Sequence, residues 1–101
     1  MSVADPLEES LRLKSETEQT RLDVIRTDLG VCLTLADLAA TEYGLGNREH
    51  AEQAVAEAEK GYSDMLRFFS EATGMTAEVE TGLQSKFQAV RQRLDELKPL
   101  R

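Results

Sequence analysis

The sequence predicts an all-α fold, an antiparallel three-helix bundle with a long first helix, spanning about residues 6–43, 47–72 and 76–98. Two apolar stripes carry this reading, both with steps alternating between three and four. Leu22, Ile25, Leu29, Cys32, Ala36, Ala39 and Tyr43 form the first; Ala51, Val55, Ala58, Tyr62, Met65 and Phe69 form the second. Such spacing turns one face of a helix toward a partner helix. The turn Gly44-Leu45-Gly46-Asn47 joins the two, and its shortness makes them antiparallel neighbours. Val, Ile and Thr are sparse and never alternate over a strand-length run, which argues against a sheet. At 101 residues the chain holds one domain with one modest core.

Helix 1 opens on Asp5 as cap, Pro6 at the first helical position and Glu8 three after the cap, a capping-box pattern. Residues 1–5 are expected to form a flexible N-terminus. The helix is expected to reach Tyr43 and to end on Gly44 in the left-handed conformation. Asn47 is the expected cap of helix 2, which closes at Thr73-Gly74. Thr76 caps helix 3, with Glu78 and Glu80 in its first turn, where negative charge meets the positive end of the helix dipole. Val79, Leu83, Phe87, Val90, Leu94 and Leu97 form its apolar face, and Pro99 prevents its continuation.

Lengths matter here. At ~1.5 Å per residue, helix 1 measures roughly 55–60 Å, against roughly 40 Å and 35 Å for the other two. Helices 2 and 3 therefore cover helix 1 only back to about Gln19. Residues 6–18 overhang, or the helix breaks between Lys14 and Thr20.

The net charge is −7, distributed as −5 over residues 1–42, −3 over 46–72 and +1 over 75–101. An acidic surface repels phosphates, so nucleic-acid binding loses most of its usual electrostatic drive. No apolar run approaches the ~18 residues of a membrane span, and no charged-then-apolar leader opens the chain. Cys32 is the only cysteine, which fits a reducing compartment, and a cytoplasmic location is expected.

The stretch Leu35-x2-Leu38-Ala39, Gly46 in the turn, then Ala51-x3-Val55 and Ala58 resembles one tetratricopeptide unit. Leu35 replaces the family's aromatic, Glu42 falls at its tyrosine position with Tyr43 one place late, and no proline closes the unit. A shift of 34 residues finds no second copy. The resemblance covers residues 35–58 alone. It implies a close helical hairpin and peptide or protein recognition, and it transfers no binding residues.

Residues with chemical potential have plainer roles. His50 lacks the neighbouring ligands that a metal site needs, and the chain has no Glu-x-x-His pair. Cys32 lies mid-helix, one turn after Asp28, away from the positive groups that activate a thiol. Carboxylate pairs such as Glu57/Asp64 are expected to serve helical salt bridges, Glu57 with Lys60 among them. Gly44-Leu45-Gly46 follows no strand and lacks the residues of a phosphate loop.

No catalytic, cofactor or metal site is expected. The leading expectation is a non-enzymatic protein–protein interaction or assembly module, self-associating as a dimer through the long first helix. The expected contact residues are Leu7, Leu11, Leu22 and Phe68, because the overhang is uncovered and Phe68 and Phe69 cannot share one narrow seam. Two alternatives stand beside it. One is a small-ligand sensor with a pocket among Tyr43, Tyr62 and Cys32, and the other is an acidic adaptor for a basic protein partner.

Overall fold

The computed structural model describes the backbone of residues 6–101 and the side chains from Glu18 onward. Three helices form an all-α bundle: α1 (Pro6–Gly44), α2 (Arg48–Glu71) and α3 (Ala77–Leu97), followed by a 3-10 turn at Lys98–Leu100. α1 is continuous through residues 14–20, and its 39 residues set the long axis of a molecule measuring 66 × 25 × 17 Å. The expected roles of Asp5 and Glu8, and the expectation for residues 1–5, lie outside the described residues.

α1 is the spine. α2 lies along it in the antiparallel sense, α3 returns along it on another side, and α2 and α3 meet only sparingly. The core follows the two stripes closely. Leu22, Ile25, Leu29, Cys32, Ala36 and Ala39 are buried from α1, and Ala51, Val55, Ala58 and Met65 from α2. Leu83, Phe87, Val90, Leu94 and Leu97 are buried from α3. Alanines fill the α1–α2 contact beside the turn, whereas Ile25, Leu29 and Leu83 fill the core toward the other end. Small side chains let two helix backbones approach closely.

α2 ends level with Glu18, whose Oε2 accepts a 3.3 Å hydrogen bond from the Thr73 N–H. This agrees with the coverage that helix lengths predict. Phe87 joins α3 to α2 by edge-on contacts with Tyr62 and Phe69, at centroid separations of 5.8 and 5.3 Å. Arg93 joins α3 to α1, its Nε donating to Asp37 Oδ1 at 2.9 Å. Hydrogen bonds to Asp37 and Glu96 hold the Arg93 pKa above its ordinary value. Arg101 returns across the bundle to Glu59 at 2.7 Å.

The hairpin turn corrects two expectations. The left-handed residue is Gly46, with φ +82°, and Gly44 remains the last residue of α1. The Asn47 N–H reaches Glu42 O at 2.8 Å and the Gly46 N–H reaches Tyr43 O at 3.1 Å. This pair of bonds is the Schellman arrangement, which places the glycine two residues beyond the final helical residue. Asn47 occupies the cap position of α2, but its side chain makes no capping bond. Its Nδ2 donates instead to Glu42 Oε2 at 2.7 Å. Thr76 caps α3 as expected, Oγ1 accepting from the Val79 N–H at 3.2 Å.

Candidate interaction surface

A second heptad seam runs along the outer face of α1. Thr20, Val24, Thr27, Val31, Thr34, Leu38, Thr41 and Leu45 alternate by four and three, as the core stripe does. All eight are exposed, with Val24 at 42%, Val31 at 51% and Leu38 at 47%. The chain is 31% charged, yet none of these positions carries charge. Thr34 and Thr41 turn their hydroxyls back onto the carbonyls of Gly30 and Asp37, which leaves their methyl groups outward.

Beside this seam the α1–α2 junction is an open groove of about 300 Å³. Leu35, Leu38 and Glu42 form one wall; His50, Gln53, Ala54 and Glu57 form the other. The α2 wall continues along its helix through Asp64 and Phe68, seven and eleven residues after Glu57. Phe68 is 38% exposed, and its neighbour Phe69 packs against Phe87 on the α3 side. One helical step of ~100° thus sends adjacent phenylalanines to opposite duties.

Carboxylates flank the groove. Glu42 lines it from α1 and Glu57 from α2, while Asp28 and Asp64 lie two helical turns further along, seven residues before Leu35 and after Glu57. Asp64 pairs with Arg67 at 3.7 Å. Asp28, Glu42 and Glu57 have no ion-pair partner among the described residues, so the expected helical salt bridge of Glu57 is not formed.

A second, wider groove of about 550 Å³ separates α2 from α3, lined by Tyr62, Phe87, Gln88, Arg91, Gln92, Asp95 and Glu96. It follows from the sparing contact between those helices. The Arg91 guanidinium lies 5.4 Å from the centroid of the Tyr62 ring. Lys98, followed by Arg91, holds the Asp95 carboxyl below its usual pKa. These groups satisfy one another.

The expected contact residues separate. Leu22 is buried in the core and offers no surface, because it continues the inner stripe at the level where the chain after α2 closes on Glu18. Phe68 is exposed, on the same face of α2 as Glu57 and three turns beyond it. Leu7 and Leu11 lie outside the described side chains. The pocket imagined among Tyr43, Tyr62 and Cys32 is not assembled. Cys32 is closed over by Gly61, Tyr62 opens to the α2–α3 groove, and Tyr43 sits three turns further along α1. Burial, with Asp28 adding to it, holds the Cys32 thiol above its usual pKa and keeps it protonated.

Among the described residues no three metal-ligating side chains converge, and no helix is long and apolar enough to cross a membrane. The outer seam was legible in the sequence as a repeat of seven through Val24, Val31, Leu38 and Leu45. The inner stripe is the stronger signal, because threonine fills alternate positions of the outer one. Comparison with protein families, curated proteins and solved structures finds no match.

Proposed function

We propose that this protein is a non-enzymatic helix-docking module whose working surface is the outer seam of α1 and the groove beside it. One observation carries the reading: seven exposed, uncharged positions from Thr20 to Thr41 keep heptad spacing on a helix whose opposite face is already buried, and Leu45 continues them into the turn. An exposed seam of this kind has no stabilising role in the bundle itself. Heptad spacing is what a second helix needs for continuous packing along α1. Site-specific photo-crosslinking in native cells tests this. Benzoylphenylalanine at Leu38 is expected to give a discrete crosslinked product, while the same probe at Gln84 on α3 gives none. Equal products from both positions, or none from Leu38, would overturn the proposal.

A second reading is favoured by the length of α1, which exceeds α2 by fifteen residues and extends beyond the level of Glu18. In it, the N-terminal turns of α1 carry self-association. Light scattering at high micromolar concentration decides: a dimer of the 11.2 kDa chain supports this reading, and a clean monomer removes it.

A further inference from the structure

We infer that the occupant of the outer seam is a basic amphipathic helix from another protein, one with apolar heptad positions flanked by lysine or arginine. The inference rests on the helix-docking reading and adds the charge of the partner. In a heptad pairing, the residues flanking the seam choose the partner by charge. The flanks of this seam are Arg21, Asp28, Leu35 and Glu42 on one side and Asp23, Gly30, Asp37 and Gly44 on the other. Four are acidic and one is basic; Asp23 is paired with Arg26 and Asp37 with Arg93, so the charge open to a partner comes from Asp28 and Glu42, with Glu57 adding to it from the α2 wall of the groove. A second copy of this chain would set these carboxylates against one another in a molecule already at −7. A lysine-flanked helix would meet them with opposite charge. Thr20 to Gly44 covers roughly 36 Å, so the matching helix has about 25 residues.

The experiment uses three 28-residue peptides with leucine and isoleucine at the heptad seam and lysine, glutamine or glutamate at the flanks. Each is titrated into the full chain by calorimetry, with circular dichroism reporting helix formation. The lysine peptide is expected to bind and gain helicity, at least roughly tenfold tighter than the glutamine peptide, while the glutamate peptide does not bind. Leu38→Glu is expected to weaken the lysine peptide by roughly tenfold or more. That variant adds negative charge, so diffuse attraction to an acidic surface would instead tighten binding. Leu38→Ser, which leaves the charge unchanged, is expected to weaken it too, with native helicity retained in both variants. Glu42→Lys combined with Glu57→Lys is expected to narrow the preference for lysine over glutamine.

Three results would overturn the inference: no binding by the lysine peptide, binding that tightens with Leu38→Glu, or indifference to flank charge. Binding that ignores flank charge yet is lost in both Leu38 variants would remove the basic partner and leave the helix-docking reading standing. Loss of the Leu38 crosslink in cells would remove that reading itself.

Discussion

A β-carbon on Gly61 would stand 2.8 Å from the Sγ of Cys32, closer than such atoms ever approach in packed proteins. The two residues mark the close contact of α1 and α2, where the thiol occupies the space a side chain on α2 would need. Both lie well inside their helices, so neither backbone can yield cheaply. Glycine is retained at an intrinsic cost of about 1 kcal/mol of helix propensity relative to alanine. Gly61→Ala is therefore expected to lower stability by about 1–2 kcal/mol despite better propensity. With Cys32→Ala the methyl finds room. A double-mutant cycle in urea should show favourable coupling of about 1 kcal/mol or more. Strict additivity would show that the contact relaxes at no cost.

The hairpin offers a cleaner contrast between two glycines. Gly46 has φ +82° and Gly44 is helical, and neither has an atom within 4 Å of its added β-carbon. Gly46→Ala is expected to destabilise by about 1 kcal/mol through backbone strain. Gly44→Ala is expected to be neutral or to stabilise by up to about 1 kcal/mol. Thermal melts of the two single variants would separate them, and the reverse order would place the left-handed residue at Gly44.

Tyr43 carries a buried hydroxyl with no hydrogen-bond partner in the described structure. Leaving such a group unpaired costs about 1–3 kcal/mol. Tyr43→Phe keeps the ring against the core and removes the orphan oxygen. It should raise stability by about 1 kcal/mol, read from the urea midpoint at unchanged m-value. A loss of stability would reveal a partner for the hydroxyl.

Cys32 supplies the pH dependence. Its folded pKa is raised by burial and by Asp28, so the folded state prefers the neutral thiol. The stabilising contribution is complete below the unfolded thiol pKa, and is lost as pH rises from there through the folded value. Wild type should lose stability relative to Cys32→Ala as pH is raised above about 9. At pH 8, alkylation by iodoacetamide should track unfolding, accelerating with urea. Rapid labelling of the native protein would contradict the burial.

The two seams of α1 should respond in opposite ways. Ile25 is fully buried, and Ile25→Ala is expected to cost about 2–5 kcal/mol. Val31 is half exposed on the outer seam, and Val31→Ser should change stability by no more than about 0.5 kcal/mol. A large loss at Val31, measured in urea, would make the outer seam a structural element.

Helix period and end signals were enough to predict three helices, and the boundaries fall within a residue of those observed: 6–44 for 6–43, 48–71 for 47–72, and 77–97 for 76–98. Local chemistry accounts for this. Glycine, proline and capping threonine act within a turn of their own position, and every residue of the inner stripe is buried or half-buried. The hairpin details were less legible. A Schellman ending and a plain glycine stop both use the string Gly-Leu-Gly, and hydrogen bonding across the turn selects Gly46.

Sequence by itself determined the number of helices, their order, the inner face of each and the point near Gln19 where coverage of α1 stops. Those properties depend on periodicity and length, which a linear chain carries in full. Only the tertiary structure decided that neither α2 nor α3 covers the outer apolar residues of α1. Leu22 and Val24 are two residues apart with similar side chains, and the packing of α2 and α3 buries one and leaves the other exposed. Exposure depends on which sides of α1 its neighbours occupy, and that is a relation among three helices.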